Sequence, residues 1–268
     1  MPEGRNSMRK RKNMPEEHAG MKENKKGQPA GKIKLSVENV SLTLGKSRIL
    51  NKVSLSCERG RIYGLIGRNG SGKTMLMKCI CGFIIPTVGK ILVYEDGAEI
   101  STKDRGVAAT KKPGGGKQIG KDVDFIPDAG IIIETPGFIP NYSGMKNLSL
   151  LAMIKNRIGR EEIRAAIENV GLDPELKLPV RKYSLGMRQR LGLAQAIMED
   201  PSVLILDEPM NGLDKEGVLD MRRYLLELKE AGKTILLTSH AAEDIELLCD
   251  EVYEMEHGNC RKVNSASD

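Results

Sequence analysis

The 268-residue chain is 40% hydrophobic and 29% charged, with a formal net charge of +6, so it can bury a core of domain size. No window approaches 18 uninterrupted apolar residues and the first twenty residues lack the apolar stretch of a signal peptide, which argues against a span or secretion. Residues 1–30 hold eight Lys/Arg against four Asp/Glu, or +4, which leaves only +2 for the other 238 residues and makes the basic excess a tail property instead of a nucleic-acid face.

In chain order, residues 1–31 read as a disordered basic tail, poor in large apolar side chains. Order is expected from Lys32, with alternation in Ile33–Val37 marking a half-buried strand and a second strand pair through Ile49–Leu50 and Val53–Cys57. Ile62–Ile66 reads as a short buried strand, Met75–Ile80 as a helix stopped around Phe83–Pro86, and Gly89–Tyr94 as a returning strand. The pattern dissolves from about Glu95 to Gly116, an expected exposed insertion, then resumes at Val123–Phe125 and in the run Ile131–Glu134. Helices follow over Ser143–Lys155, Arg160–Val170 and Arg188–Met198, so that about 137–200 forms a helical subdomain. Val203–Leu206, Val218–Ala231 and Thr234–Thr238 then alternate strand, helix and strand. The expected class is α/β: a mainly parallel central sheet, an antiparallel β layer and a helical subdomain, in one domain over 32–268. Five cysteines without C-x-x-C spacing read as small buried apolar residues, and Cys79 and Cys81 lie about 200° apart around their helix.

Between the Ile62–Ile66 strand and its helix stands Gly67-Arg68-Asn69-Gly70-Ser71-Gly72-Lys73-Thr74, which fits the phosphate-loop pattern G-x-x-x-x-G-K-[ST]. Glycines there let backbone N–H groups turn inward, and the helix N-terminus adds partial positive charge where an anion would sit. Lys73 is expected on the β- and γ-phosphates, and the Thr74 hydroxyl on Mg²⁺. Asp207 and Glu208 directly follow an apolar strand. Two adjacent carboxylates there suit a metal ligand, Asp207, and a base for the attacking water, Glu208; the plain alternative is a helix cap.

The segment Tyr183-Ser184-Leu185-Gly186-Met187-Arg188-Gln189-Arg190 resembles the signature of ATP-binding cassette (ABC) proteins, and Asn211–Asp214 and Thr238-Ser239-His240 resemble their D-loop and switch histidine. The resemblance covers about Lys32 to Arg261, and the spellings Tyr-Ser-Leu-Gly-Met and Ile131–Pro140 are similar to cassettes of bacitracin- and lantibiotic-type exporters. It implies an ATPase using ATP and Mg²⁺, with His240 at the γ-phosphate and Glu134 at the position usually held by Gln, facing metal or water. It also implies a head-to-tail pair of cassettes, alike or different, in which Ser184, Leu185, Gly186, Met187 and Asp214 meet the other subunit's ATP. Ser184 and the backbone around Gly186 are expected to open a helix from about Met187. A separate transmembrane subunit is expected to dock near Glu134, Phe138 and Tyr142, holding the chain at the cytoplasmic membrane face for export of a drug, peptide antibiotic or lipid-like molecule. Leu44 stands where such proteins stack the base on an aromatic ring. The rivals are a soluble cassette ATPase on a nucleic-acid or protein complex, a phosphate-loop kinase or GTPase, and a cassette that binds ATP without hydrolysing it.

Overall fold

Three apolar runs set the architecture, because each feeds two cores by strict alternation. In the computed structural model, which describes residues 33–94, 116–134 and 136–263, the strands β3 (Ile62–Ile66), β7 (Val203–Leu206) and β8 (Thr234–Leu237) lie side by side in parallel. Tyr63, Leu65, Val203, Ile205 and Leu236 point into one core, and Ile62, Leu204, Leu206, Ile235 and Leu237 into the other. A sheet covered on both faces needs this near-continuous apolar composition. With β6 (Ala129–Ile132), β9 (Glu251–Glu256) and β10 (Asn259–Val263) the sheet runs β10-β9-β3-β8-β7-β6, all parallel except the β10 edge.

The first core is closed by a four-stranded antiparallel sheet in the order β2-β1-β4-β5, built from β1 (Ile33–Leu44), β2 (Ser47–Glu58), β4 (Val88–Val93) and β5 (Lys117–Gln118). The helix α1 (Lys73–Cys81) is buried between this layer and the central sheet through Leu76, Met77, Cys79, Ile80 and Cys81. On the opposite face pack α2 (Gly144–Lys155), α3 (Arg160–Asn169), α4 (Leu185–Ile197), α5 (Lys215–Glu230) and α6 (Ala242–Leu248). The mixed α/β class with its antiparallel layer agrees with the sequence reading.

Several boundaries move for local reasons. The expected strand pair over 49–57 is one strand, bent where Lys52 takes φ +50° and its N–H donates to Ser41 Oγ. The strand expected to end at Glu134 ends at Ile132, because Glu134 itself adopts φ +62°. Val123 makes a single bridge to Ile119, and Phe125 is exposed with its ring edge on Phe83. The helix expected from Arg188 starts at Leu185, capped by Ser184, whose Oγ accepts from Met187 N–H. Gly186 therefore lies inside the first turn, not ahead of it. The basic tail and the expected insertion, apart from Gly116, fall outside the described residues. Among the described residues no helix is long and apolar enough to cross a membrane.

Candidate functional site

The C-terminal ends of β3, β6, β7 and β8 open on one side of the central sheet, where a parallel sheet customarily binds its ligand. Residues 67–74 leave β3 and enter α1, whose first residue is Lys73. Gly67 takes φ +141°, and a Cβ there would meet Met255 O at 2.2 Å, so no other residue fits. Arg68, Asn69 and Gly70 form the exposed tip, while Ser71, Gly72 and Lys73 are buried. Lys73 Nζ folds back to Gly67 O (2.7 Å) and Arg68 O (3.3 Å), keeping an ammonium inside the loop.

Thr74 Oγ1 donates to Asp207 Oδ2 at 2.8 Å, joining the loop to the end of β7. Thr238 Oγ1 donates to Asp207 Oδ1 at 2.7 Å and accepts from Glu208 N–H at 2.8 Å, so one hydroxyl holds both acidic residues. Glu208 has φ +52°, a strained value for a non-glycine of the kind found at functional sites. Its carbonyl accepts from Gln189 Nε2 of α4 (3.1 Å) and from Asn211 N–H (3.1 Å). His240 Nε2 lies 3.3 Å from Glu208 Oε1 without hydrogen-bond alignment. That oxygen and Ser71 Oγ are buried without a partner.

Two buried orphan oxygens, one in the loop that enters an anion-ready helix N-terminus and one at the end of β7, fit a triphosphate with its water. The oxygens of Thr74 and Asp207, 2.8 Å apart, also fit magnesium, which characteristically takes one or two protein oxygens plus phosphate and water.

The remaining sequence candidates fall around this centre. Glu134 is exposed, and its Oε1 pairs with Lys78 Nζ at 2.6 Å. Leu44 is half exposed at the end of β1. Among the described residues no hydrogen bond joins Ser184, Leu185, Gly186 or Met187 to residues 67–74; Leu185 and Gly186 meet the 211–214 loop instead, where a Cβ on Gly186 would lie 2.9 Å from Gly212 O, and Met187 N–H donates to Ser184 Oγ. Asp214 caps α5 by accepting from Gly217 N–H. Phe138 and Tyr142 lie in the loop before α2, which buried Asn147 knits together through Ile139 N–H, Ile139 O and Tyr142 O.

Sequence reasoning missed Thr238, Gln189, Lys78 and Asn147 as organising side chains. It also missed the network behind His240. Ser239 Oγ donates to Asp244, which is buried against Arg222 of α5, so the loop carrying the histidine hangs on α5 and α6. A Thr in an expected strand end and a Ser beside a His were visible, but Thr238 reaches Asp207 across 31 positions, and Asp244, five residues after Ser239, is fixed by Arg222 from 22 positions away. The cysteine reading agrees with the structure for Cys57, Cys79 and Cys81, which are buried, while Cys249 and Cys260 are partly exposed; burial pushes the Cys79 thiol up to about 11 and that of Cys81 to about 12.

The ABC transporter family profile matches residues 50–211. The chain is 40% identical over 224 residues to an uncharacterized ABC transporter ATP-binding protein, YybJ, of Bacillus subtilis, covering 84% of this chain and 93% of that one. It is 37% identical over 227 residues to the bacitracin transport ATP-binding protein BcrA of Enterococcus faecalis (84% and 67% covered). It is 34% identical over 216 residues to the lantibiotic transport ATP-binding protein SrtF of Streptococcus pyogenes (81% and 84% covered). A solved ATP binding subunit of an ABC transporter superposes with a TM-score of 0.69 at 25% identity, covering 86% of this chain and 90% of that one.

Proposed function

The chain belongs to the ABC transporter family, and on that premise we propose that it is the ATP-hydrolysing subunit driving a separate membrane-embedded partner that exports a drug, peptide antibiotic or lipid-like molecule. The observation that carries the hydrolytic part is the linked set Thr74, Asp207, Thr238 and Glu208, with the Glu208 Oε1 lone pairs free. Residues 67–73 bind the triphosphate through backbone N–H groups and the Lys73 ammonium. Thr74 and Asp207 would hold magnesium, which when bound would offset negative charge on the phosphates. Glu208, pinned through its N–H and carbonyl, orients the attacking water and takes its proton. His240, beside that carboxylate, contacts the γ-phosphate.

The signature supplies the second half of the site in trans. Ser184 caps α4 yet stays exposed, so the helix N-terminus behind it is free to receive an anion from a second cassette. Two-fold pairing gives both sites at once, and loss of the γ-phosphate removes the bridge between them. A groove of about 430 Å³ between β6 and the helices α2 and α4 supports docking of the membrane subunit. Phe83, Ile133, Pro136 and Ile154 line it, and the Phe138 and Tyr142 loop adjoins it. The names of BcrA and SrtF support a peptide-antibiotic cargo.

The test is Glu208→Gln, expected to bind ATP normally, to form an ATP-dependent dimer in size exclusion, and to hydrolyse at least about a hundredfold more slowly, the scale of a positioned base. Unchanged hydrolysis would refute the assignment.

A further inference from the structure

Glu134 raises an electrostatic problem that the fold answers. This inference rests on the reading of the site as an ATP-hydrolysing cassette. A carboxylate at the start of the loop beside a triphosphate repels it, and ABC proteins usually place a neutral Gln there. Lys78 lies on α1 one turn after Thr74, so the two side chains share a helix face. Thr74 reaches Asp207, whose N–H donates to Ile132 O at 2.7 Å, and Glu134 follows Ile132 by two residues. Lys78 Nζ closes the circuit on Glu134 Oε1 at 2.6 Å.

Geometry and exposure separate a local charge role from a stabilising one. The Glu134 side chain is 65% exposed and that of Lys78 25%, so the pair adds little to folding. Yet Glu134 is held in the left-handed region at φ +62°, and the Lys78 carbonyl accepts from Phe83 N–H and Ile84 N–H at the turn that walls the groove. One lysine thus touches the nucleotide helix, the carboxylate loop and the base of the groove. We propose that Lys78 is a positioning residue that neutralises Glu134, so that this cassette carries a carboxylate in that loop without repelling ATP.

The experiment is a double-mutant cycle of Lys78→Met, Glu134→Gln and both together, with Lys78→Arg as the conservative control. ATP affinity is measured by titration calorimetry with and without Mg²⁺, beside kcat, KM and thermal unfolding. Lys78→Met should weaken ATP binding roughly tenfold, the scale of one partly screened charge, and more without Mg²⁺. Adding Glu134→Gln should restore affinity to within about twofold, since the repelling charge is then gone. Lys78→Arg should bind as wild type, and kcat should move less than KM throughout. Unaltered affinity in Lys78→Met overturns the proposal, and so does a deficit or folding failure that persists in the double variant. A wild-type chain that binds no ATP would instead overturn the cassette reading.

Discussion

Thr238→Val removes one hydroxyl from a position with 0% exposure, and the consequences can be followed atom by atom. Valine fills nearly the same volume, so packing survives. Asp207 Oδ1 loses its 2.7 Å donor and Glu208 N–H its 2.8 Å acceptor. A hydrogen bond to a charged group contributes about 1.5–3 kcal/mol, and an unpaired buried N–H costs about 1–3 kcal/mol. Allowing for partial relaxation, the variant should be less stable by about 2–4 kcal/mol, or roughly 5–15 °C in Tm for a chain of this size. Turnover should fall further than stability suggests, because Glu208 is kept at φ +52° by Thr238, Gln189 and Asn211 together. Loosening a general base by about 1 Å costs on the order of a hundredfold in rate. Phosphate release and thermal unfolding measure the two effects, and Thr238→Ser, which keeps the hydroxyl, should recover most of the turnover. A Val variant with normal Tm and rate, or a Ser variant as damaged as Val, would refute the role of that hydroxyl.

Leu44→Tyr, at a half-exposed strand end, should tighten nucleotide binding a few-fold, because aromatic contact adds about 0.5–1.5 kcal/mol beyond buried area; titration with ATP and GTP measures it, and no gain would place the base elsewhere. Burial raises the thiols of Cys249 and Cys260 to about 12 and about 11 and lifts Cys57 as well, so native protein at pH 8 should react with a thiol reagent on the order of a hundredfold more slowly than unfolded protein. The linked sign is definite: above the unfolded thiol value of about 9 the unfolded chain sheds protons that the folded chain keeps, so stability should fall as pH rises past it, as denaturant titrations at pH 8 and 10 would register.

The parts of the site carried by contiguous residues were legible in sequence. The 67–74 loop, the Asp207-Glu208 pair and the 203–206 run declare themselves through local spacing, and the structure puts the first two 2.8 Å apart at Thr74 and Asp207. What stayed hidden depends on chain separation. Thr238 reaches Asp207 across 31 positions and Lys78 reaches Glu134 across 56, and no local period encodes either contact. Helix starts were misplaced where a single capping side chain decides them. Ser184 begins α4 three residues ahead of the expected Arg188, counting from Leu185, because its hydroxyl satisfies the Met187 N–H.

Gln189 gives the signature a mechanical meaning that the motif alone lacks. It projects from the same helix that Ser184 caps, and its amide holds the Glu208 carbonyl at 3.1 Å. Gly186 on that helix leans on Gly212, which sits in the loop leading to the Asp214 cap of α5. Arg222 of α5 in turn anchors Asp244, and through Ser239 the loop bearing His240. On the proposed reading, an anion bound at the α4 N-terminus would act on the Glu208 backbone and on the histidine loop through these packed, hydrogen-bonded groups. The α4 helix whose N-terminus is proposed to face a second cassette is thus also the one whose Gln189 helps hold Glu208 in its strained conformation, so Gln189→Ala should slow hydrolysis more than it weakens ATP binding, and an unchanged rate would sever that link.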